Sequence, residues 1–303
     1  MAERKLNLDI AGAVAELESL IKKVLPKNIM YRLLLGKGLE FDGYRDYSPV
    51  DDADLIDWKA TVRAQKPLVR RYIEERDLKF MFVIDVSDNM VFGSTEKLKC
   101  EYVAEMVAAL SHLILGTGDR IGFVLFNDKV VVTRMPELGN RQFEILVHEI
   151  SNPLIYGGDS RLTEVLNYLM GTLPKSTSMV FLISDFVKVD ETYLTTFENF
   201  STLFETVAMV VRDPLDITLP DLNKEVVVEN ISTREKLLVN PKVAKQIYET
   251  NAAVQLNKMK NVFRDSNMDF LEMSTAESFS PQIATFLKER ILGGRIIRKQ
   301  NVS

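Results

Sequence analysis

The sequence predicts an α/β fold: a doubly wound, mainly parallel sheet with one antiparallel strand, preceded by an N-terminal helical and irregular extension. Three observations predict it. From Lys79 onward the chain alternates short apolar runs with longer amphipathic stretches. The runs lack in-out alternation, as expected of strands buried on both faces, and the stretches between them are long enough for helical crossovers. One pair of runs is separated only by Asn127-Asp128, which allows a hairpin turn but no crossover.

The elements follow in order. Residues 10–25, IAGAVAELESLIKKVL, repeat apolar positions at helical spacing, and Pro26 stops them. A short apolar segment, 28–36, ends at Gly36. The block 36–77 is rich in Gly, Asp and Pro and reads as irregular, with a helix over 54–64 and a strand over 67–76. Strands are then expected at 79–86, 120–127, 129–135, 178–185, 205–213 and 268–274. Helices are expected at 96–115, 141–151, 161–173, 191–200, 241–265 and 280–292. A second antiparallel excursion, KEVVVENISTREKLLVN, precedes the long helix. These readings divide the chain into an extension (1–78), an α/β domain (79–292) and a basic tail (293–303).

Composition narrows the function classes. Net charge is −5, from 38 Lys and Arg against 43 Asp and Glu, with the signs interspersed. A nucleic-acid partner, which calls for a dominant basic face, is not expected. A single cysteine, Cys100, excludes an intramolecular disulfide and fits a reducing compartment. Two histidines, His112 and His148, leave too few ligands for a Cys/His zinc site, and both lie within expected helices and read as packed or solvated, not catalytic. The start of the chain has no signal-peptide-like apolar core, and no apolar run reaches the roughly 18 residues of a membrane span. A cytoplasmic protein without a membrane span is expected. The block GKGLEFDG follows a helix, not a strand, and there is no Walker-type phosphate loop.

In open parallel sheets ligands collect at the carboxyl ends of strands. Here the first sheet strand ends in Asp85, with Ser87 and Asn89 at alternate positions beyond it. The strand 178–185 ends in Ser184 and Asp185, and the glycine-hinged loop YGGDSRLTEVL carries Asp159, Ser160 and Thr163. Two carboxylates with several neutral oxygens suit a hard divalent cation; magnesium takes about six oxygens at roughly 2.0–2.1 Å. The same residue types also cap turns and helix starts without any ion. Both readings stay open on spacing alone.

DVSDNM, the GGDS loop and LISDF resemble the three segments of the metal-ion-dependent adhesion site of von Willebrand factor type A domains. The resemblance implies a von Willebrand factor A-like, Rossmann-type three-layer domain. It also implies a Mg²⁺ or Mn²⁺ held by Asp85, Ser87, Asn89, Ser160 and Asp185. Asn89 stands where a second serine is usual and Ser160 where a threonine is expected; Asp159 is the alternative one residue earlier, and Thr163 falls in the helix. A second, denser resemblance covers residues 38–90. Arg45, Tyr47, Asp51, Asp52, Ile56, Asp57, Trp58 and Arg63 match the signature of domain of unknown function family 58, with Val50 in place of its usual glycine. Within this block Trp58, the only tryptophan, is expected to pin the extension to the sheet through its large apolar area. Arg45 and Arg63 are expected to pair with the neighbouring carboxylates.

The resemblances imply a non-enzymatic interaction module whose cation takes an acidic residue from a protein partner. Proteins of this family are typically encoded beside MoxR-type AAA+ ATPases, so an adaptor in assembly or maturation of protein complexes is implied. Two alternatives remain. One is a metal-dependent hydrolase or phosphotransferase with Asp85 as nucleophile, for which Asp88 is out of place as the second acid. The other is a metal-free structural subunit whose strand ends are capped by their own backbone.

Overall fold

A run such as Phe80–Ile84 gives a strand no polar face to turn outward, so it is stable only where helices cover both sides. The computed structural model, which describes residues 5–24, 39–48, 56–74, 78–229 and 235–292, builds that arrangement. In chain order come α1 (Ile10–Val24), β1 (Leu39–Asp46), α2 (Trp58–Ala64), β2 (Leu68–Glu74) and β3 (Lys79–Asp85). Then follow α3 (Lys99–Gly116), β4 (Arg120–Phe126), β5 (Val130–Glu137), α4 (Asn140–Ile150), α5 (Leu162–Thr172) and β6 (Met179–Ser184). The remainder is α6 (Leu194–Leu203), β7 (Thr206–Arg212), β8 (Val226–Glu229), β9 (Lys236–Val239), α7 (Pro241–Asp265), β10 (Asp269–Ser274) and α8 (Phe279–Leu292).

The main sheet has the order β10-β7-β6-β3-β4-β5. Its pairs are parallel except β4–β5, the antiparallel hairpin predicted at Asn127-Asp128. The chain therefore winds outward from β3 in both directions, as in doubly wound sheets with a central switch point. Phe80, Phe82 and Ile84 of β3 enter a core shared with α1, α3, α4 and α8. Met81 and Val83 enter the opposite core, against α5, α6 and α7. The result is three layers. The predicted excursion after β7 is a separate two-stranded sheet, β8 with β9.

Helix α3 is buried along its first thirteen residues because α1 covers the face that the sheet does not. Leu17 and Ile21 of α1 are fully buried in that contact, so the extension begins as part of the core. Two acids on α3 secure the approach to α1. Glu101 accepts the Asn7 N–H at 2.6 Å, and Glu105 accepts the Asp9 N–H and pairs with Lys97. At the other edge, β4 meets β5 through a register shift around Gly122. The Gln142 amide donates to the carbonyls of Ile121 (3.0 Å) and Met135 (3.1 Å), satisfying acceptors at that irregularity.

Three expectations for the extension are corrected. Residues 39–46 are not irregular: they form β1, which pairs antiparallel with β2 and bulges beside Gly43, where φ is +145°. The Gly- and Asp-rich sequence hides a strand whose hydrogen-bonding partner supplies what its propensity lacks. The helix placed at 54–64 begins only at Trp58, because Asp57 is its N-cap and accepts the N–H groups of Lys59 and Ala60. Trp58 pins nothing: it is 67% exposed. A side chain at the first helical position after the cap points back over the helix start, and here that direction is solvent. Asp57 also accepts the Tyr44 hydroxyl, and Arg45 donates to the Asp46 carbonyl. Asp51 and Asp52, the apolar segment 28–36 and the basic tail 293–303 lie outside the described residues.

Candidate functional site

Strand β3 delivers Asp85 to the carboxyl edge of the sheet, where the crossover directions on its two sides part. Its carboxylate is 1% exposed and has three hydrogen-bond donors. The Ser87 N–H reaches Oδ1 at 2.8 Å, which is the local turn-capping role. The Ser184 and Ser160 hydroxyls reach Oδ2 at 2.7 and 2.9 Å. One carboxylate oxygen thus gathers hydroxyls from the end of β6 and from the loop before α5.

That loop is held in place by backbone bonds at both ends. Gly157 N–H donates to Val86 C=O at 2.8 Å, and Asp88 N–H donates to Gly158 C=O at 2.9 Å. On the other side the Asn127 amide donates to Gly157 C=O at 2.7 Å, and Arg161 N–H donates to Asn127 C=O at 3.0 Å. Gly157 and Gly158 have φ of +149° and +82°, conformations that side-chain-bearing residues rarely adopt. The glycine pair is what lets the loop turn back onto β3 and β4 and present Ser160.

The structure brings Asp85, Ser87, Ser160 and Asp185 to one rim. Asp185 is 3% exposed, and its charge acts on Asp85 directly. Burial first, and the Asp185 charge second, push the Asp85 carboxyl above its ordinary pKa, against hydrogen bonds from Ser184 and Ser87. Ser87 is 1% exposed, and its side chain as well as its N–H faces the Asp85 carboxylate. Asn89 lies half-buried in the 3-10 turn Asp88–Val91. Among the described residues, no hydrogen bond joins its amide to the other four. Asp159 is exposed and pairs with Lys188, away from Asp85, and Thr163 is in α5.

Sequence reasoning missed the cation at this rim. The Lys99 ammonium, on a side chain only 2% exposed, lies 2.8 Å from Asp185 Oδ2 and 3.1 Å from Asp216 Oδ2. Burial alone would lower its pKa, but the charges of Asp185 and Asp216 outweigh that and hold it above the ordinary lysine value. Asp216 belongs to the turn Pro214–Asp216 just after β7. Its neighbour Asp213, fully buried, accepts the Ser94 N–H (2.7 Å) and hydroxyl (2.5 Å), the Leu215 N–H (2.9 Å) and the Thr275 hydroxyl (3.1 Å). Asp213 could have been found, since it ends a strand as Asp85 does. Lys99 gave no signal beyond a charge at the start of a helix, which ordinarily reads as solvated.

Among the described residues, no three His, Cys, Asp or Glu side chains converge as a metal-holding group. A cation here would therefore rest on two carboxylates and neutral hydroxyls. The donor set fits a hard ion. Ser160 spends its proton on Asp85 and keeps lone pairs free, and oxygen is the donor type that magnesium and manganese take. No helix among the described residues is long and apolar enough to cross a membrane.

Comparison with known proteins places the chain. It is 25% identical over 292 residues to uncharacterised proteins of Mycobacterium tuberculosis and Mycobacterium bovis, a match that spans 94% of this chain and 90% of theirs. Similar solved structures include a conserved hypothetical protein, BatB, from Bacteroides thetaiotaomicron (10% identity, 71% of this chain and 98% of that one, TM-score 0.46). The SpRpn10 VWA domain is another (11% identity, 68% and 93%, TM-score 0.41). The family model described as protein of unknown function DUF58 matches residues 43–258, more than half of the chain. The chain belongs to the DUF58 family.

Proposed function

We propose that this protein is a non-enzymatic protein-interaction module whose recognition rim binds a divalent cation, Mg²⁺ or Mn²⁺. Asp85, Ser87, Asn89, Ser160 and Asp185 would supply the oxygens, and the ion would offer an open position to an acidic residue of the partner. The observation that carries the reading is the convergence on the buried Asp85, whose Oδ2 accepts the Ser160 hydroxyl at 2.9 Å and the Ser184 hydroxyl at 2.7 Å, with Asp185 close enough to raise its pKa. Oxygens gathered from separate elements around a buried carboxylate are the donor type a hard cation takes.

Charge points the same way. Asp85 and Asp185 bring two negative charges to the rim, and the one positive charge beside them, Lys99, is shared with Asp216 of the turn after β7, so three carboxylates face one ammonium and 3 − 1 leaves two in excess when all are ionised. Uncompensated buried charge costs several kcal/mol per ion. A proton on Asp85 relieves part of it, and a divalent cation relieves all of it. The ion itself would supply a Lewis-acid position. The chain's own residues orient the hydroxyls, exclude water from the carboxylates and fix the rim to β3, β6 and the glycine loop.

The partner class comes from the family. A MoxR-type AAA+ ATPase is the proposed associate, with the protein acting as an adaptor in assembly or maturation of protein complexes in the cytoplasm. The test is affinity capture from the native cell in magnesium and in chelator, with wild type and Asp85→Ala. A partner retained in magnesium and lost both in chelator and with Asp85→Ala is expected. A partner retained equally in chelator would overturn the cation reading.

A further inference from the structure

Position 99 is an unfavourable place for a lysine. It is the first residue of α3, where the helix dipole repels a cation, and it is buried, where an ammonium loses its hydration. A residue that breaks two local rules at once, at a candidate site, points to a role there. Its two partners lie on different parts of the fold. Asp185 belongs to the cation rim, at the end of β6. Asp216 accepts the Asp213 N–H at 2.8 Å and so closes the turn from which the β8–β9 excursion departs. That turn is tied in turn to the Tyr248 hydroxyl of α7, which donates to Leu215 C=O at 2.6 Å.

We propose that Lys99 is a resident counter-ion that competes with the divalent cation for Asp185 and, through Asp216, couples occupancy of the rim to the turn that follows β7. The inference rests on the cation reading of the rim. Without a divalent ion the ammonium is shared between the two carboxylates. A divalent ion at the rim takes over Asp185 and repels the ammonium, which then bonds to Asp216 alone and tightens the root of the excursion. The rim and the surface beyond β7 thereby become two parts of one device, and the rim's cation affinity is held below what its oxygens alone would give.

The test uses the full chain, Mn²⁺ titration by calorimetry, and hydrogen exchange of the amides of residues 213–222. The variants are Lys99→Met, Lys99→Arg and Asp216→Asn; the last keeps an oxygen for the Asp213 N–H and is the variant least exposed to misfolding. Removing one positive charge beside a dication should tighten Mn²⁺ binding about tenfold or more in Lys99→Met, while Lys99→Arg stays near wild type. Mn²⁺ should slow exchange at 213–222 in wild type and leave it unchanged in Lys99→Met and Asp216→Asn. If wild type binds no Mn²⁺ but Lys99→Met does, the competition is supported in its strongest form. Equal affinity in wild type and Lys99→Met, or binding in wild type without any change in exchange at 213–222, overturns the inference while the cation reading stands. No binding to either protein overturns both.

Discussion

Replacing Lys99 by methionine in the absence of divalent ions tests the electrostatics of the rim without any assumption about metal. The lysine and Asp185 side chains are 2% and 5% exposed, and Asp216 is 15% exposed, so solvent can screen little of the charge left behind. Methionine matches the lysine stem in shape, which confines the change to the ammonium. Breaking a buried ion pair by removing one partner costs about 3–5 kcal/mol, and here two carboxylates lose their partner, one of them close enough to the buried Asp85 to raise its pKa. Adding Asp185→Asn to the same chain removes the deeper orphan. What remains is Asp216, partly wet and still accepting the Asp213 N–H, so the double variant should lose only about 1–2 kcal/mol. The second substitution is thus expected to restore roughly 2–3 kcal/mol of what the first removes. Urea unfolding in chelator, followed by circular dichroism, measures all three proteins. A single-variant loss below about 1 kcal/mol, or a double variant no more stable than the single, would show that the pair is not the buried, charge-balancing contact described.

Other perturbations probe the frame around the rim. Gly122→Ala should destabilise the sheet edge by about 1–3 kcal/mol, because a Cβ there would lie 2.5 Å from Met81 Sδ and 2.7 Å from the Arg134 carbonyl; a shifted urea midpoint reports it. Cys100, 1% exposed, has its thiol pushed up to about 12, by burial first and by the Glu101 charge second. The native protein should therefore resist a thiol reagent at neutral pH and react fully once unfolded. Trp58→Ala should change stability by no more than about 0.5 kcal/mol, since the ring is 67% exposed, and a larger loss in the same unfolding assay would restore the anchoring role that the structure denies it.

How far the sequence could be read depends on the range of the interaction responsible. Strands β3, β4, β6 and β7 were legible because double-sided burial leaves an apolar run in consecutive residues, and the β4–β5 hairpin because its turn is local. Strand β1 was not legible: the alternation of LEFDGYRD lasts only from Leu39 to Asp42 before the bulge beside Gly43 shifts its phase, and its structure comes from pairing with β2. At the rim, Asp85, Ser184 and Asp185 announce themselves as polar ends of apolar strands. Their convergence does not, because the bonds that assemble the rim join residues 75, 99 and 86 positions apart. Lys99 is the extreme case. Nothing within a turn of it explains its burial, and both of its partners arrive from distant strands.

A capping role for Asp85 leaves room for the cation role proposed for it. Its Oδ1 does what a strand-end aspartate does anywhere, closing the turn through the Ser87 N–H. Its Oδ2 does something a cap does not need, by accepting two hydroxyls from separate elements. A hydroxyl whose proton is committed to a carboxylate turns its lone pairs elsewhere. Asp85 therefore orients the Ser160 and Ser184 hydroxyls, and Ser184 already accepts the Phe186 N–H at 3.2 Å, which leaves Ser160 as the oriented acceptor. On the proposed reading, such a set would favour a cation whatever the identity of the ion. Because the orientation depends on the carboxylate being charged, the burial and the Asp185 charge that raise its pKa work against it, and Lys99 stands on the opposing side of that balance through Asp185. The rim is thus poised by charge more than by shape, and its three loops need only hold oxygens in place for that balance to decide what binds.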